Sequence, residues 1–291
     1  MYKVLFVYIN RAEAVMIVIN KPKRIVTQDN ILISASYSLT LDEKRLLLLA
    51  ISKLKPNTKI GSKGKETLVV NVSEWKEAFK ITSNAAYTQL KSGTLRLYER
   101  SIKIIEKDET MHMRWVSSAY YNEGAGSVTL VFSGDILKYL SGLVGNFTSF
   151  DLINTGEFTS IHSFRVYEMA CRFIDTGWLY IEIGDFKTSL GIEGLYSKWA
   201  ELKRRVIDKA CKEINKHSNL SITYDIIKSG RSVVALKFKF TTNSQIDLFT
   251  KTNDSEIAKI KTTTKKTGLS ESQEKRKKIT AAIMDIHDTS W

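Results

Sequence analysis

Val70-Asn71-Val72-Ser73-Glu74-Trp75-Lys76-Glu77-Ala78-Phe79-Lys80-Ile81 is echoed position for position by Ile181-Glu182-Ile183-Gly184-Asp185-Phe186-Lys187-Thr188-Ser189-Leu190-Gly191-Ile192. Each copy reads as a short alternating strand, an acidic helix start and an aromatic-anchored helical turn. A long apolar-striped helix precedes each copy, and a tyrosine-led basic helix with strand-like runs follows it. Self-similarity at domain scale means that one structural unit is duplicated. Helix, short strand, helix, basic helix and hairpin, in that order, are the parts of a winged helix-turn-helix, whose last helix enters a DNA groove. The expected fold class is α+β: two tandem winged helix-turn-helix domains related by duplication.

Working outward, the first unit opens with Thr40 and Glu43 at the spacing of a capping box. Leu46, Leu47, Leu49, Ala50 and Leu54 then form the buried side of a helix that Pro56 ends. The loop that follows contains Gly61-Ser62-Lys63-Gly64-Lys65, but a phosphate-cradling P-loop needs four residues between its glycines and Ser or Thr directly after the lysine. Both conditions fail, so the segment reads as a basic loop. A helix from Asn84 to about Lys103 carries Tyr87, Leu90, Thr94, Leu97 and Ser101 on one side and Gln89, Ser92, Arg96, Glu99, Arg100 and Lys103 on the other. Arg96, Arg100 and Lys103 are the candidate DNA contacts of this unit. Strands are expected at Ile102 to Glu106, Met111 to Tyr121 and Ser127 to Phe132, then a helix from Ser133 to Leu143. Gly145 to Gly156 reads as the domain junction.

In the second unit a helix from Phe158 to Asp175 has a wide apolar face, with Arg165, Glu168 and Arg172 assigned to its outer face. The short strand Leu179 to Ile183 and the turn helix Asp185 to Leu190 follow. The helix from Tyr196 to Lys216 holds seven basic and three acidic residues. Trp199, Leu202, Val206 and Ala210 fall on one arc, while Lys198, Arg204, Arg205, Lys212, Asn215 and Lys216 project from the other. A hairpin of Leu220 to Ile227 and Val233 to Phe240 turns at Lys228-Ser229-Gly230-Arg231, which adds Lys228 and Arg231 as candidate contacts. The expected organisation is an extension over 1–29, winged-helix domains over 30–145 and 156–240, and a linker with a short amphipathic helix over 241–291. That last helix rests on Ser270 and Gln273, a basic run at 275–278, and Ile279, Ala282, Ile283 and Ile286 at helical spacing.

Composition fits a polyanionic partner. Forty-four Lys and Arg against 31 Asp and Glu give a net charge of +13 and a pI near 9.5, and neutralised phosphates release counterions. The two cysteines, Cys171 and Cys211, sit on expected core faces and form neither a zinc pattern nor a disulfide framework. Such usage suits a reducing cytoplasm. The apolar run Val4 to Ile9 is shorter than a secretory core, and no stretch approaches the roughly 20 apolar residues that span a bilayer. Met16 offers an alternative start.

Three separated stretches also carry a resemblance. Asn30-Ile31-Leu32-Ile33-Ser34-Ala35-Ser36-Tyr37-Ser38-Leu39-Thr40 with the Leu-rich helix, Ser163-Phe164-Arg165-Val166-Tyr167-Glu168, and Lys203-Arg204-Arg205-Val206-Ile207 with Glu213-Ile214-Asn215 resemble the signature segments of the Rep replication initiators of iteron-bearing bacterial plasmids. The match runs from about Lys23 to Phe240. The resemblance implies two winged-helix domains, binding to repeated origin sequences (iterons) in double-stranded DNA, opening of adjacent AT-rich DNA, and recruitment of the host replication initiator and helicase. It also implies homodimerisation through the N-terminal domain and repression of the chain's own promoter, and it admits host chaperones as partners. It puts base reading on Lys198, Lys203, Arg204 and Arg205; Lys212 and Lys216, nearer the helix end, suit phosphates.

Catalysis has little support in the residues. DNA-nicking initiators use a tyrosine beside a metal held by a His-x-His pair, whereas His112, His162, His217 and His287 stand apart in the sequence. No metal-ligand spacing or nucleophilic serine motif appears, so no catalytic residue, metal or cofactor is expected. A winged-helix transcriptional repressor and a DNA-nicking replication enzyme remain as alternatives to a non-enzymatic initiator.

Overall fold

The computed structural model describes residues 3–10, 13–19, 23–54, 66–106, 109–141, 143 and 145–243. The strands β1 (Lys3–Asn10) and β2 (Glu13–Ile19) pair antiparallel. The first module begins with β3 (Ile25–Asp29), the one-turn helix α1 (Asn30–Ser34) and α2 (Leu41–Ile51). The expected capping box is present: Thr40 Oγ1 accepts from Glu43 N and Glu43 Oε2 accepts from Thr40 N at 2.9 Å. Next come β4 (Thr67–Asn71), α3 (Val72–Ala78) and α4 (Ala86–Glu99). Strands β5 (Ser101–Glu106), β6 (Glu109–Arg114), β7 (Val116–Asn122) and β8 (Ser127–Phe132) lead to the short α5 (Gly134–Leu137) and β9 (Phe147–Asp151). The second module is α6 (Ile161–Arg172), β10 (Trp178–Glu182), α7 (Ile183–Leu190), α8 (Trp199–Leu202), a π-helical turn at Lys203–Ile207, α9 (Asp208–His217), β11 (Leu220–Ser229) and β12 (Ser232–Thr242).

Sheet topology bears out the duplication. In the first module the order is β4-β8-β7, in the second β10-β12-β11, so in both the strand of the echoed segment pairs with the last strand of the hairpin. Registers agree too: Val69 faces Thr129, and its counterpart Tyr180 faces Lys237. Trp75 and Phe186, the aromatic anchors of the echo, are both fully buried. The chief difference is the β5–β6 hairpin, present only in the first module and tied to the N-terminal segment by a bridge between Lys103 and Ser36.

Several expectations are corrected. The stretch Met111 to Tyr121 is two strands, not one: the chain breaks at buried Trp115, leaving β6 paired with β5 and β7 with β8. The helix expected to Lys103 ends at Glu99, and Lys103 lies on β5, where its N–H and carbonyl pair with Ser36. The helix expected over Ser133 to Leu143 is only α5 followed by turns. The segment read as a junction, 145–156, contains β9, which pairs with β3. Thus the last residues of the expected extension, 25–29, are a strand closed by the expected linker. Phe147-Thr148-Ser149-Phe150-Asp151 does alternate in burial, the period-2 signature of a strand. The glycine-bearing loop at 57–65 and the amphipathic helix at 270–287 lie outside the described residues.

The largest correction concerns α6. Arg165 and Glu168, assigned to an outer face, are 1% and 0% exposed. The helix is covered on that side by the first module: Glu168 Oε1 accepts from Lys44 Nζ at 2.6 Å and from Gln28 Nε2 at 3.1 Å, and its Oε2 accepts from Arg165 at 3.2 Å. The Arg165 guanidinium also donates to the carbonyls of Ile33 (2.9 Å), Ala35 (3.0 Å) and Ser189, and to the Tyr37 hydroxyl, over whose ring it stacks at 4.1 Å. Lys44 Nζ donates to the same hydroxyl at 2.9 Å. Gly191 closes the arrangement: it caps α7 at φ +65°, and a Cβ there would collide with the Tyr37 carbonyl. Arg172, at the end of α6, donates to Ser34 Oγ. The two modules are thereby packed into one compact unit.

Candidate nucleic-acid interface

α7 and the α8–α9 segment form the helix-turn-helix of the second module. Apolar Leu202, Val206, Ile207, Ala210 and Ile214 point into the core. Val206 and Ile207 are both buried within the π-turn, with Arg204 and Arg205 exposed just before them; such turns concentrate at functional sites. Asn215 locks the helix to the hairpin, donating to the Ile222 carbonyl at 2.9 Å and accepting from Ile222 N at 2.6 Å. Glu213 anchors it to the start of α6 by accepting from Thr159 N at 3.0 Å and Ser160 N at 3.3 Å.

The basic residues divide by what they already hold. Arg204 is exposed and has no hydrogen bond or ion pair among the described residues. Arg205 pairs with Glu201 at 3.6 Å, both half-exposed, an i,i+4 contact of a few tenths of a kcal/mol that a phosphate or base can displace. Lys203 is committed: its Nζ donates to both Asp208 oxygens, at 3.0 and 2.7 Å, while Tyr224 donates to the same carboxylate at 2.6 Å. Burial alone would raise the Asp208 carboxyl, but the Lys203 and Tyr224 hydrogen bonds outweigh it and hold it below the usual range. The same contact with Asp208 raises the Lys203 ammonium. Lys198 is the exposed residue before α8. Lys212 and Lys216 are exposed along α9.

Sequence reasoning passed over Lys209. It is exposed and completes a stripe, Arg205, Lys209, Lys212 and Lys216, at intervals of four, three and four residues, one face of a helix. That spacing was the available signal. Lys228 and Arg231 stand at the tip of the β11–β12 hairpin, both exposed, beside Gly230 at φ +59°. The structure therefore brings the second module's candidates together as a basic helix face with a basic wing.

The first module's candidates are not equivalent. Glu43, fully buried, accepts from Arg96 Nε at 3.0 Å and from Arg100 Nε at 3.0 Å. Lys103 sits on a strand. α4 instead exposes Thr88, Leu95, Tyr98 and Glu99, and Lys91 is paired with Glu123. Among the described residues there is no group of three or more His, Cys, Asp or Glu able to hold a metal, and no helix long and apolar enough to cross a membrane. Cys171 and Cys211 are free, with burial pushing both thiols up to about 12.

Comparison with known proteins places this geometry. Residues 25–171 match the family described as "Initiator Replication protein, WH1" and residues 182–240 the family described as "Initiator Rep protein, WH2". An Escherichia coli protein described as an uncharacterized 27.6 kDa protein is 27% identical over 222 residues, 72% of this chain and 93% of its own length. The Escherichia coli PI protein is 24% identical over 262 residues, 78% of this chain and 85% of its own length. The solved structure of the Pi initiator protein in complex with iteron DNA has the same fold, with a TM-score of 0.66 at 22% identity over 77% of this chain and 99% of that one. With both winged-helix modules matched in order over most of the described fold, the chain belongs to the plasmid Rep replication-initiator family, a family of DNA-binding initiators.

Proposed function

We propose that this chain is a sequence-specific initiator of plasmid replication that reads repeated origin sequences with its second module. The observation that carries the proposal is the outward basic stripe of Arg205, Lys209, Lys212 and Lys216 with unpartnered Arg204, on the second helix of a helix-turn-helix and next to a wing bearing Lys228 and Arg231. Arg204 and Arg205, at the π-turn, take the base edges, where an Arg paired bidentately with guanine discriminates by about 1–3 kcal/mol. Lys198, Lys209, Lys212, Lys216 and the wing residues take phosphates. Lys203 acts through Asp208 and Tyr224 by fixing the helix to the wing. The first module supports dimerisation and backbone contact, a role suited to a helix that shows Leu95 and Tyr98 to solvent. Opening of AT-rich DNA, recruitment of the host initiator and helicase, and dimeric repression of the chain's own promoter are carried to this chain by family membership; the mechanism needs no covalent step.

Footprinting the full chain on the DNA flanking its coding gene tests the reading. Two modules on one duplex predict protection of roughly 20 bp per chain on repeated sites, with binding that weakens steeply with salt as on the order of 6 to 10 phosphates are neutralised. Protection without repeats, or a flat salt response, would remove the proposal.

A further inference from the structure

The β10-β12-β11 sheet has two faces. Leu179, Ile181, Leu236, Phe238, Phe240 and Ile222 line the inner one, where Phe186 of α7 meets Phe238 with ring centroids 5.8 Å apart. The outer face, turned away from these helices, carries two aromatic side chains that the fold leaves bare: Trp178 is 49% and Tyr180 48% exposed. Register places Lys239 opposite Trp178 and Lys237 opposite Tyr180, and Lys237 Nζ lies 5.3 Å from the Trp178 ring centroid. The third strand adds Thr223 beside Lys239 and Asp225 beside Lys237.

The duplication supplies an internal control. The residues of the first module at the same positions are Thr67 for Trp178, Val69 for Tyr180, Thr129 for Lys237 and Val131 for Lys239. The fold is thus completed in the first module with no aromatic on β4 and no cation on the central strand. The first module does carry a bare aromatic on the same face, Tyr120 of β7, at the position of Asp225, but with no cation beside it on the central strand. Bare aromatics facing lysines across neighbouring strands belong to the second sheet, and that is the surface chemistry single-stranded nucleic acid selects: rings for unpaired bases, cations for the backbone between them.

We propose that the outer face of the β10-β12-β11 sheet is a binding platform for a single DNA strand. Trp178 and Tyr180 stack two bases, and Lys237 and Lys239 hold the intervening phosphates. Side chains two residues apart on a strand stand about 6.8 Å apart, twice the roughly 3.4 Å rise of a stacked base, so the platform takes an unstacked, stretched strand and not a duplex. Asp225 is the opposing charge. It pairs with Lys239 at 2.9 Å with both side chains more than half exposed, a weak surface contact that a phosphate displaces. The platform lies on the opposite side of the sheet from α7 and does not depend on the duplex reading of the basic helix.

The test uses the full chain, a fluorescein-labelled 15-nucleotide oligothymidylate read by anisotropy, and a separate origin duplex arm. Trp178→Thr with Tyr180→Val installs the first module's own residues and keeps strand-forming side chains. It is expected to weaken oligonucleotide binding at least tenfold (about 1.4 kcal/mol) while duplex binding stays within about twofold. Lys237→Thr should lower the salt slope for the oligonucleotide by about 0.7, and Asp225→Asn should tighten its binding. Saturating duplex should leave the oligonucleotide bound. Failure of the full chain to bind the oligonucleotide, equal binding by the double variant, or complete displacement by duplex would each overturn the assignment. If the double variant loses duplex binding in parallel, Asp225→Asn decides: tighter strand binding supports the platform and unchanged binding refutes it.

Discussion

Glu168→Gln is the most revealing perturbation of the scaffold. The side chain is fully buried and holds two cations, Lys44 at 2.6 Å and Arg165 at 3.2 Å, of which Lys44 is 0% and Arg165 1% exposed. The amide keeps the shape and the acceptor toward Gln28 but leaves both cations without a counter-charge. Breaking a buried pair by removing one partner destabilises by about 3–5 kcal/mol. Arg165 keeps its carbonyl acceptors on Ile33, Ala35 and Ser189, which favours the lower half of that range. At about 2–4 °C per kcal/mol for a unit of this size, the melting temperature should fall by roughly 10 °C. Lys44→Met should cost less, about 1.5–3 kcal/mol, because it removes the charge-assisted hydrogen bonds to Glu168 and to the Tyr37 hydroxyl but leaves the Arg165–Glu168 pair balanced. Calorimetric and urea unfolding of the full chain measure both variants. A loss below about 1 kcal/mol for Glu168→Gln, or a larger loss for Lys44→Met than for Glu168→Gln, would refute the view that one carboxylate neutralises two buried cations between the modules.

Arg204→Ala should leave the melting temperature unchanged, since among the described residues the side chain has no partner, and should reduce binding to origin repeats much more than binding to unrelated duplex; equal loss on both would assign Arg204 to the backbone. Lys203→Ala behaves differently, lowering the melting temperature slightly through the lost Asp208 hydrogen bonds, an effect thermal melting separates from binding. Lys212→Ala should weaken all duplexes alike and reduce the salt slope by about one, as titration against potassium chloride reports. Arg96→Ala should destabilise by about 1.5 kcal/mol because buried Glu43 loses a charged partner, with duplex binding at low temperature little changed. His162 gives a pH signature: burial, helped by Lys209, pushes its imidazole below the ordinary value of 6.5, so the unfolded chain binds the proton first. Stability is full above about pH 6.5 and is lost as pH falls below it, and His162→Phe should flatten that part of the melting-versus-pH curve relative to the parent.

Local rules were legible in the sequence where the physics is local. The capping box of Thr40 and Glu43 and the wing turn at Gly230 each depend on a few adjacent residues, and each stands where the sequence puts it. The echo itself located both helix-turn-helix motifs and hence the basic helix. Misreadings came where a distant residue decides. Helical periodicity separates the polar side of α6 from its apolar side, but Lys44, Tyr37 and Gln28, more than a hundred residues away, determine that Arg165 and Glu168 are buried. Likewise the amphipathic pattern of α4 put Arg96 and Arg100 opposite the apolar stripe, and Glu43 of α2 turned them into a structural clamp. Strand β9 was hidden because its partner β3 lies at the far end of the module, and the glycines flanking it read as a linker.

The duplication explains why charge alone could not rank the two basic helices. Both helix-turn-helix motifs sit on sheets of the same order and similar register, so backbone geometry offers a groove-reading helix in each. What differs is where the cations end. In the first module one carboxylate, Glu43, reaches α4 from α2 and takes up Arg96 and Arg100. In the second module the counterpart position, three residues after the N-cap Ser160 of α6, is Ser163 and not an acid facing α9, and the carboxylate that α6 does carry, Glu168, is spent on Lys44 and Arg165. No acid on α6 therefore pairs with the basic side of α8–α9 among the described residues; Arg205 with Glu201 and Lys203 with Asp208 pair within the helical segment itself, and His217 at its end meets Glu157. A copied fold thus ties the two arginines of α4 to a buried carboxylate of the preceding helix, whereas Arg204, Lys209, Lys212 and Lys216 make no ion pair among the described residues, and the placement of two glutamates on the preceding helices accounts for that difference.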